Sequence, residues 1–429
     1  MPKIDLPKLR DERARHRSRA RELGVSLCES ARALVAAVEP GQEDPLLALL
    51  AGPKVADAAR KARWSSLVLN PGSTSTKLSV YGGLHVLGAE EVHHPAGADD
   101  GLEARVEHVV DWFARAGLEL AEISGIAARG GVMAPVPAGT YRICDAMLGD
   151  LARARIEHPA NLAAPMAVAL GERIDRGAVL TVTDPVTVDE IDTVQRMTCS
   201  RRIRREGELA HYLNHRAVAR LVAELLETPL EDLRLVTCHM GGGMSAVRHD
   251  GGRMRRVSPA FGALPSANRS GALPILEVLD RIEDRSYSLA TLRRELTREG
   301  GLVALAGTND FRALFDLAAR ADSDLVRRKI DLVVEHYAER IAATILELSA
   351  GVAPVDAVAL TGGLAHEDHF TERVIERVPL VAPVVRVPGS LEQQALAAGA
   401  LRAQASPGKR RAYVDVRDRV AAEREEERR

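Results

Sequence analysis

The sequence predicts an α/β protein made of two similar halves, and three observations carry that expectation. Leu67 to Tyr81 reads as strand, polar turn, strand. Leu235 to Val247, about 170 residues later, repeats the pattern with Gly241, Gly242 and Gly243 at its turn, and Val355 to Leu364 ends a third apolar run in Gly362 and Gly363. Apolar runs broken by Gly, Asn and Ser mark strands joined by tight connections. Two such knuckles on one chain imply an internal duplication. A doubly wound dinucleotide-binding fold is the competitor, but it needs a glycine-rich strand-to-helix turn near its start, and 67–81 runs strand to strand.

The 429 residues are enough for two or three domains. Aromatic content is only 3%, so the cores must rest on Ala, Val, Leu and Ile. A net charge of -2 gives no reason to expect nucleic acid or a membrane as partner. Cys28, Cys144, Cys199 and Cys238 are scattered, with neither metal-ligand spacing nor a disulfide framework, so a reducing cytoplasm is the simple expectation. Acidic residues Asp5, Asp11 and Glu12 with no apolar stretch beside them predict no secretory leader, and no run reaches membrane-spanning length.

Along the chain, residues 1–62 are rich in Arg, Glu, Ala and Leu and predict helices over 9–22, 25–38 and 54–63, broken by the Pro- and Gly-bearing segment 39–45. From Trp64 the texture changes. The hairpin 67–81 is followed by a strand near 84–93, a helix over 101–116 and a strand from Ile123 to Gly131. Pro135, Pro137 and Gly139 mark a loop, and helices follow near 145–152 and 160–173. The β-branched run 179–183 ends in Asp184, and a helix lies near 207–227. After the second hairpin come helices near 275–283, 290–298 and 323–350, a strand over 380–387 and a helix over 392–404. The Arg/Glu-rich end reads as a solvated, frayed helix. The expected domains are a helical extension 1–62, a first domain 63–184 plus 389–405, a second domain 185–388, and a charged tail 406–429.

The turns carry chemistry. Gly72 permits close backbone approach, Ser73, Thr74, Ser75 and Thr76 offer hydroxyls, and Lys77 adds a positive charge, a set able to hold a phosphate. An ordinary hydroxyl-rich hairpin would look the same. The P-loop pattern does not fit, and no helix follows directly. The turn at Gly362-Gly363 is read as leading into a helix N-terminus. Two knuckles in two halves would face each other across a cleft and share one nucleotide, with closure excluding water from a transfer step.

Several segments together resemble the acetate/butyrate kinase (acetokinase) family, and most of all its butyrate branch. They are Leu69-Asn-Pro-Gly-Ser-Thr-Ser-Thr-Lys77, Arg129-Gly-Gly131, Pro137-Ala-Gly-Thr-Tyr141, Glu157-His-Pro-Ala-Asn-Leu162 and Asp184-Pro-Val-Thr-Val-Asp-Glu190. The series continues with His211-Tyr-Leu-Asn214, His239-Met-Gly-Gly-Gly-Met-Ser245, Arg269-Ser-Gly271, Gly307-Thr-Asn-Asp310, Thr361-Gly-Gly-Leu364 and Pro388-Gly389. The match runs in order from about residue 64 to 404. It implies two actin-like (ribonuclease H-like) domains and reversible, direct transfer of the ATP γ-phosphoryl group to a small carboxylic acid with Mg²⁺. It also implies a homodimer or larger assembly. The acid is already ionised near neutrality, so the reaction needs no general base.

By the same resemblance, Arg269 grips carboxylate or phosphoryl oxygens, and His211 and His158 donate to the transferring group. Asn70, Asp184 and Glu392 attend the metal. Ser73, Ser75, Lys77, His239, Gly241, Gly242 and Gly243 hold the phosphates, and Asp310, Gly362 and Gly363 line the adenosine site. Arg129 stands where acetate kinases carry His, and shares the grip on the carboxylate. Ala210 replaces a usual Phe, and Ala128 is read as a pocket wall; both small residues suggest butyrate or a branched C4–C5 acid. The segment Phe261 to Asn268 lacks the acidic loop of the butyrate branch, and Ser390-Leu391 replaces an acidic pair before Glu392. An acetate or propionate kinase, and a catalytically weakened ATP-binding scaffold, are the rival readings.

Overall fold

The computed structural model describes residues 22–72, 75–93, 101–154, 156–200, 202–205, 207–351, 353–378, 382–406 and 412–428. The chain divides into two compact units. Unit I takes 34–207, 212–221 and the described residues from Leu391 onward; unit II takes the described residues up to Ala33, 208–211 and 222–390.

Unit I is built on a six-stranded sheet of order β3-β2-β1-β4-β6-β5. Its strands are β1 (Ser65–Pro71), β2 (Ser75–Gly82), β3 (His85–His93), β4 (Gly125–Arg129), β5 (Thr140–Arg142) and β6 (Val179–Thr183). β1 and β2 form the antiparallel hairpin, β3 extends it antiparallel, and β4 and β6 add in parallel on the other side of β1. Leu67, Leu69, Ile126, Ala128 and Val182 face a core with the helices Leu102–Ala116 and Ala163–Gly171. The other face takes the helix Glu392–Ala405, whose Gly399 approaches β6 so closely that a Cβ would lie 2.0 Å from Thr183 Oγ1.

Unit II repeats the design. Its strands are β7 (Leu235–Met240), β8 (Met244–Asp250), β9 (Arg253–Ser258), β10 (Ala357–Gly362) and β11 (Val384–Pro388), in the order β11-β10-β7-β8-β9. Hairpin, third antiparallel strand and two parallel additions recur with the same sense of pairing. Even an irregularity recurs: the register slips between Val80 and Tyr81 in β2 and between Arg248 and His249 in β8, each time just past the fifth residue paired from the turn. The core lies against the long helix Asp324–Ser349, where Ile330, Val334, Tyr337, Ile341, Ile345 and Leu348 recur at helical spacing. The duplication expected from the two knuckles is therefore present.

Three expectations need correction. The end of the chain is no frayed helix in solvent: Tyr413–Arg428 is a helix whose Tyr413, Val416 and Val420 join the unit I core. The Tyr413 hydroxyl donates to Asp150 Oδ2 at 2.7 Å and accepts the Ala134 N–H. A sparse i, i+3, i+7 stripe suffices to dock it, although charged residues fill all but one of the positions between. The segment after the break at 39–45 is also helical, Pro45–Ala51, capped by Asp44. Third, Gly363–His366 is one short 3₁₀ turn, so the Gly362-Gly363 connection leads into no true helix N-terminus there.

The first expected helix, 9–22, falls almost wholly outside the described residues. The second spans 22–34 and lies against β11, an edge strand: a Cβ on Gly24 would sit 2.7 Å from the Val384 carbonyl, and Cys28 Sγ accepts the Arg386 N–H at 3.0 Å. Among the described residues no helix is long and apolar enough to cross a membrane.

Candidate active site

In unit I the candidate residues gather at the C-terminal ends of parallel strands. Leu69 pairs with Ala128, and Arg129 pairs with Thr183, so Asn70, Arg129 and Asp184 stand at one edge of β1, β4 and β6. The ends of parallel strands are where open α/β sheets expose side chains to ligands. Glu392 opens its helix, where a carboxylate meets the favourable end of the helix dipole.

Three of these side chains close a ring. Asn70 Nδ2 donates to Glu392 Oε2 at 2.9 Å, Arg129 Nη1 donates to Asn70 Oδ1 at 3.1 Å, and Arg129 Nη2 pairs with Glu392 Oε1 at 3.1 Å. The Arg129 and Glu392 side chains are only 15% and 11% exposed, so solvent screens the pair little. The glycines after Arg129 are there for close approach: a Cβ on Gly130 would meet Pro185 at 2.4 Å, and one on Gly131 would meet Asn161 Oδ1 at 2.4 Å. Three motifs distant in sequence thus converge, around residues 129–131, 157–162 and 184–185.

Asp184 is buried and has φ 41, a left-handed conformation immediately ahead of Pro185. Non-glycine residues there carry strain of order 1–3 kcal/mol, and strain of this kind clusters at functional sites. Gly139 holds it: its carbonyl accepts the Asp184 N–H at 2.9 Å and its own N–H donates to Asp184 Oδ1 at 2.6 Å. The second carboxylate oxygen lies 3.9 Å from Arg216 Nε, an atom with no hydrogen-bond partner. Arg216 gave no sequence signal beyond lying five residues past His211.

Other unit I candidates are placed differently. Ser73 lies outside the described residues. Ser75 Oγ donates to Glu91 Oε1 at 2.6 Å, and Lys77 Nζ lies 3.9 Å from Glu91 Oε2, so both are turned toward the neighbouring strand. His158 is half-buried and caps the turn Pro159–Leu162, its Nδ1 accepting the Ala160 N–H at 3.2 Å. Ala128 is fully buried in the core, so it is no pocket wall: on β4 it shares the inward face with Ile126.

In unit II a second cluster surrounds the β7–β8 turn. His239 pairs with Ser245 across the hairpin, and the His211 and His239 rings stack at 4.0 Å. The Ser245 hydroxyl accepts the His211 backbone N–H and lies 2.8 Å from Nδ1. Ser245 Oγ can donate or accept in the Nδ1 contact, so its direction follows the His211 tautomer. Gly243 approaches both Arg269 and His211: a Cβ there would be 2.7 Å from Arg269 Nη1 and 3.1 Å from His211 Nε2. Gly242 has nothing within 4 Å of where a Cβ would stand, so the turn's tip is open.

Arg269 packs its guanidinium 4.2 Å over the Phe261 ring and makes a long bond, 3.4 Å, to the Ala260 carbonyl. Its Nε is covered and has no hydrogen-bond partner, and among the described residues no carboxylate pairs with it. Burial pushes its guanidinium down to about 10, which still leaves it charged at neutral pH. Phe261 was legible only as part of a loop unlike the butyrate branch; its place under the arginine was not.

The remaining candidates sit apart in character. Gly362 has φ 93 and approaches the Met240 carbonyl, where a Cβ would be 2.4 Å away, and it exchanges backbone hydrogen bonds with Gly389. Gly363 is open. Asp310 is exposed and caps the helix Phe311–Arg320 through the Arg312 N–H.

Comparison with known proteins bears on family and fold. Residues 191–382 match the model of the acetokinase family. Butyrate kinase 1 of Clostridium acetobutylicum is 33% identical over 358 residues, covering 81% of this chain and 99% of that protein. A probable butyrate kinase of Thermotoga petrophila is 36% identical over 362 residues, covering 82% and 98%. The chain belongs to the acetokinase family. Solved structures carry the same two-domain α/β kinase fold. The acetate kinase of Porphyromonas gingivalis superimposes with a TM-score of 0.64 at 18% identity, over 79% of this chain and 99% of that one. A propionate kinase of Francisella tularensis gives 0.63 at 17% identity, over 78% and 98%.

Proposed function

We propose that this acetokinase, a phosphotransferase with a carboxyl group as acceptor, phosphorylates butyrate or a branched C4–C5 acid with ATP by direct in-line transfer. The observation that carries the reading is Arg269: a covered cation with no carboxylate partner among the described residues, beside an open glycine turn and a histidine whose Nε2 faces that turn. Such a site favours an anion, because an anionic ligand removes the penalty of the uncompensated charge. The guanidinium neutralises charge on the acid or the transferring oxygens, and His211 Nε2 donates to the same group. Gly242 and Gly243 offer backbone N–H groups to phosphate oxygens, whereas the Gly241 N–H already donates to the Gly243 carbonyl at 3.2 Å. No residue needs to act as base, because the acid arrives ionised.

The metal expected in this family is tested by the donors present. Asn70 Oδ1 and the Glu392 and Asp184 carboxylates are hard oxygen ligands at one sheet edge, few enough to suit an ion that keeps several waters, so the set fits Mg²⁺. When bound, Mg²⁺ would supply neutralisation of phosphate charge. The chain's own part there is to hold those oxygens still, through Gly139 for Asp184 and the helix start for Glu392.

Acid preference rests on the butyrate kinase relatives and on Ala210, which is small and buried beside His211. Two more buried methylenes, at ~0.8 kcal/mol each, predict roughly a tenfold higher kcat/KM for butyrate than for acetate. A hydroxamate-trapping assay over acetate, propionate, butyrate, isobutyrate and isovalerate measures this. An acetate value equal to or above that for butyrate would remove the chain-length reading. ATP binding without acyl phosphate from any acid would remove the kinase reading itself.

A further inference from the structure

The ring Asn70–Arg129–Glu392 has a consequence for how this enzyme takes up its metal. Arg129 uses both arms of its fork, one on Asn70 Oδ1 and the other on Glu392 Oε1. Those are two of the oxygens assigned above to Mg²⁺, so the inference rests on that reading. A guanidinium and a divalent cation cannot both neutralise the same carboxylate at close range without repelling each other. We propose that Arg129 is a resident counter-cation that holds the metal's oxygens in place and is displaced when the metal binds, which frees its fork to take the substrate carboxylate.

The geometry supports a movable partner better than a permanent clasp. Arg129 is the last residue of β4 and its backbone is fixed by pairing with Thr183, yet the side chain leaves the sheet at its edge and is not wholly covered. Gly130 and Gly131 hold the following turn against Pro185 and Asn161, so the strand end need not shift for the side chain to swing. Asn70 carries a second consequence. Its amide is oriented by two opposite demands, oxygen toward Arg129 and nitrogen toward Glu392. The oxygen is therefore already presented on the cation's side, in the orientation a metal or its water would need. One exchange then couples two ligands: metal binding makes Arg129 available to the acid, and acid binding to Arg129 clears the oxygens for metal. Linkage requires the two effects to be equal in size.

The probe is Mn²⁺ alone, its free concentration read by electron paramagnetic resonance, on the full-length protein without nucleotide. In the wild type, saturating butyrate is expected to tighten Mn²⁺ binding severalfold, and this needs no variant. Arg129→Gln removes the competitor and is expected to tighten Mn²⁺ about fivefold even without acid, while abolishing the effect of butyrate. Arg129→Lys restores a competing charge and returns Mn²⁺ affinity toward the wild-type value. A merely structural ring predicts the opposite sign, weaker Mn²⁺ in Arg129→Gln because Glu392 loses its anchor. Unchanged or weaker Mn²⁺ binding in that variant overturns the proposal, as does a wild type whose Mn²⁺ affinity ignores butyrate. Glu392→Gln is the check on the ligand itself: if Mn²⁺ binds it as tightly as the wild type, the exchange has no site. These readouts do not depend on turnover, so a failed acid panel and a failed exchange remain distinguishable.

Discussion

The two hairpins share strand order, pairing sense and even the position of a register slip, yet their ends are electrostatic opposites. Beside the first, in unit I, three candidate charges are answered: Arg129 by Glu392, Lys77 by Glu91, Asp184 by the Gly139 N–H and the nearby Arg216. Beside the second, in unit II, Arg269 lies on a phenyl ring with no carboxylate among the described residues to pair it. A duplicated scaffold thus supplies the same strand ends twice, and the side chains placed there decide what each receives. On the proposed reading, the compensated end exchanges one cation for another and the uncompensated one takes an anion.

The largest effect that tests this contrast is at Arg269. Arg269→Gln is expected to lower kcat/KM by at least ~10²-fold, the scale seen when a preorganised charge on a transition state is lost. A loss below tenfold in a steady-state assay would end the idea that unit II is the anion-binding half. Next is Gly243→Ala. Its new methyl group would press on Arg269 Nη1 at 2.7 Å and His211 at 3.1 Å, displacing both. A fall in kcat of between about 10- and 100-fold is expected, because errors in positioning are amplified in rate.

Thermal melting separates the two arginines by sign. Arg129→Gln deprives Glu392 and Asn70 of a partner in a poorly screened setting and is expected to cost about 2 kcal/mol. Arg269→Gln removes a buried charge that no carboxylate among the described residues compensates, so its Tm should match or exceed the wild type. Equal losses in both variants would erase the distinction. The pH dependence of KM for the acid sharpens it further. With the Arg269 guanidinium held at about 10 by burial, acid binding should be flat from neutrality upward and weaken as pH climbs through that value. For stability the sign reverses: the desolvation penalty on the charged form is present in full below about 10 and is relieved above it. The smallest effect concerns a layer found on unit I. Tyr413→Phe removes the bonds to Asp150 and Ala134, which should cost about 1–2 kcal/mol in Tm-derived stability with little change in turnover.

Much of this was legible in the sequence, and the limits have physical causes. The hairpins, the third strands and the long helix 324–349 announce themselves because period and glycine placement are local properties. Asn70, Arg129, Asp184, His211, His239 and Arg269 were legible as motif members. What each touches was not, since the partners lie far along the chain: Glu392 is 322 residues from Asn70. Ser75 and Lys77 looked like phosphate ligands because the turn's composition is local, whereas Glu91, which engages both, enters only through the register of β3. Ala128 was misread because a small residue beside a motif suggests a pocket, while strand alternation turns it into the core. The docking of Tyr413–Arg428 was hidden by a charge density that outweighs three apolar positions.

The helix over 22–34 gives the opening segment of the chain a use that its composition did not suggest. It lies across β11, the outermost strand of its sheet, with Gly24 allowing backbone contact at Val384 and Cys28 taking the Arg386 N–H. An uncovered outer strand is a template on which another molecule's backbone can zip, and natural proteins guard such borders with helices or loops. Removing the helix over 22–34 would therefore unguard that border and leave a chain inclined to stack on its own kind.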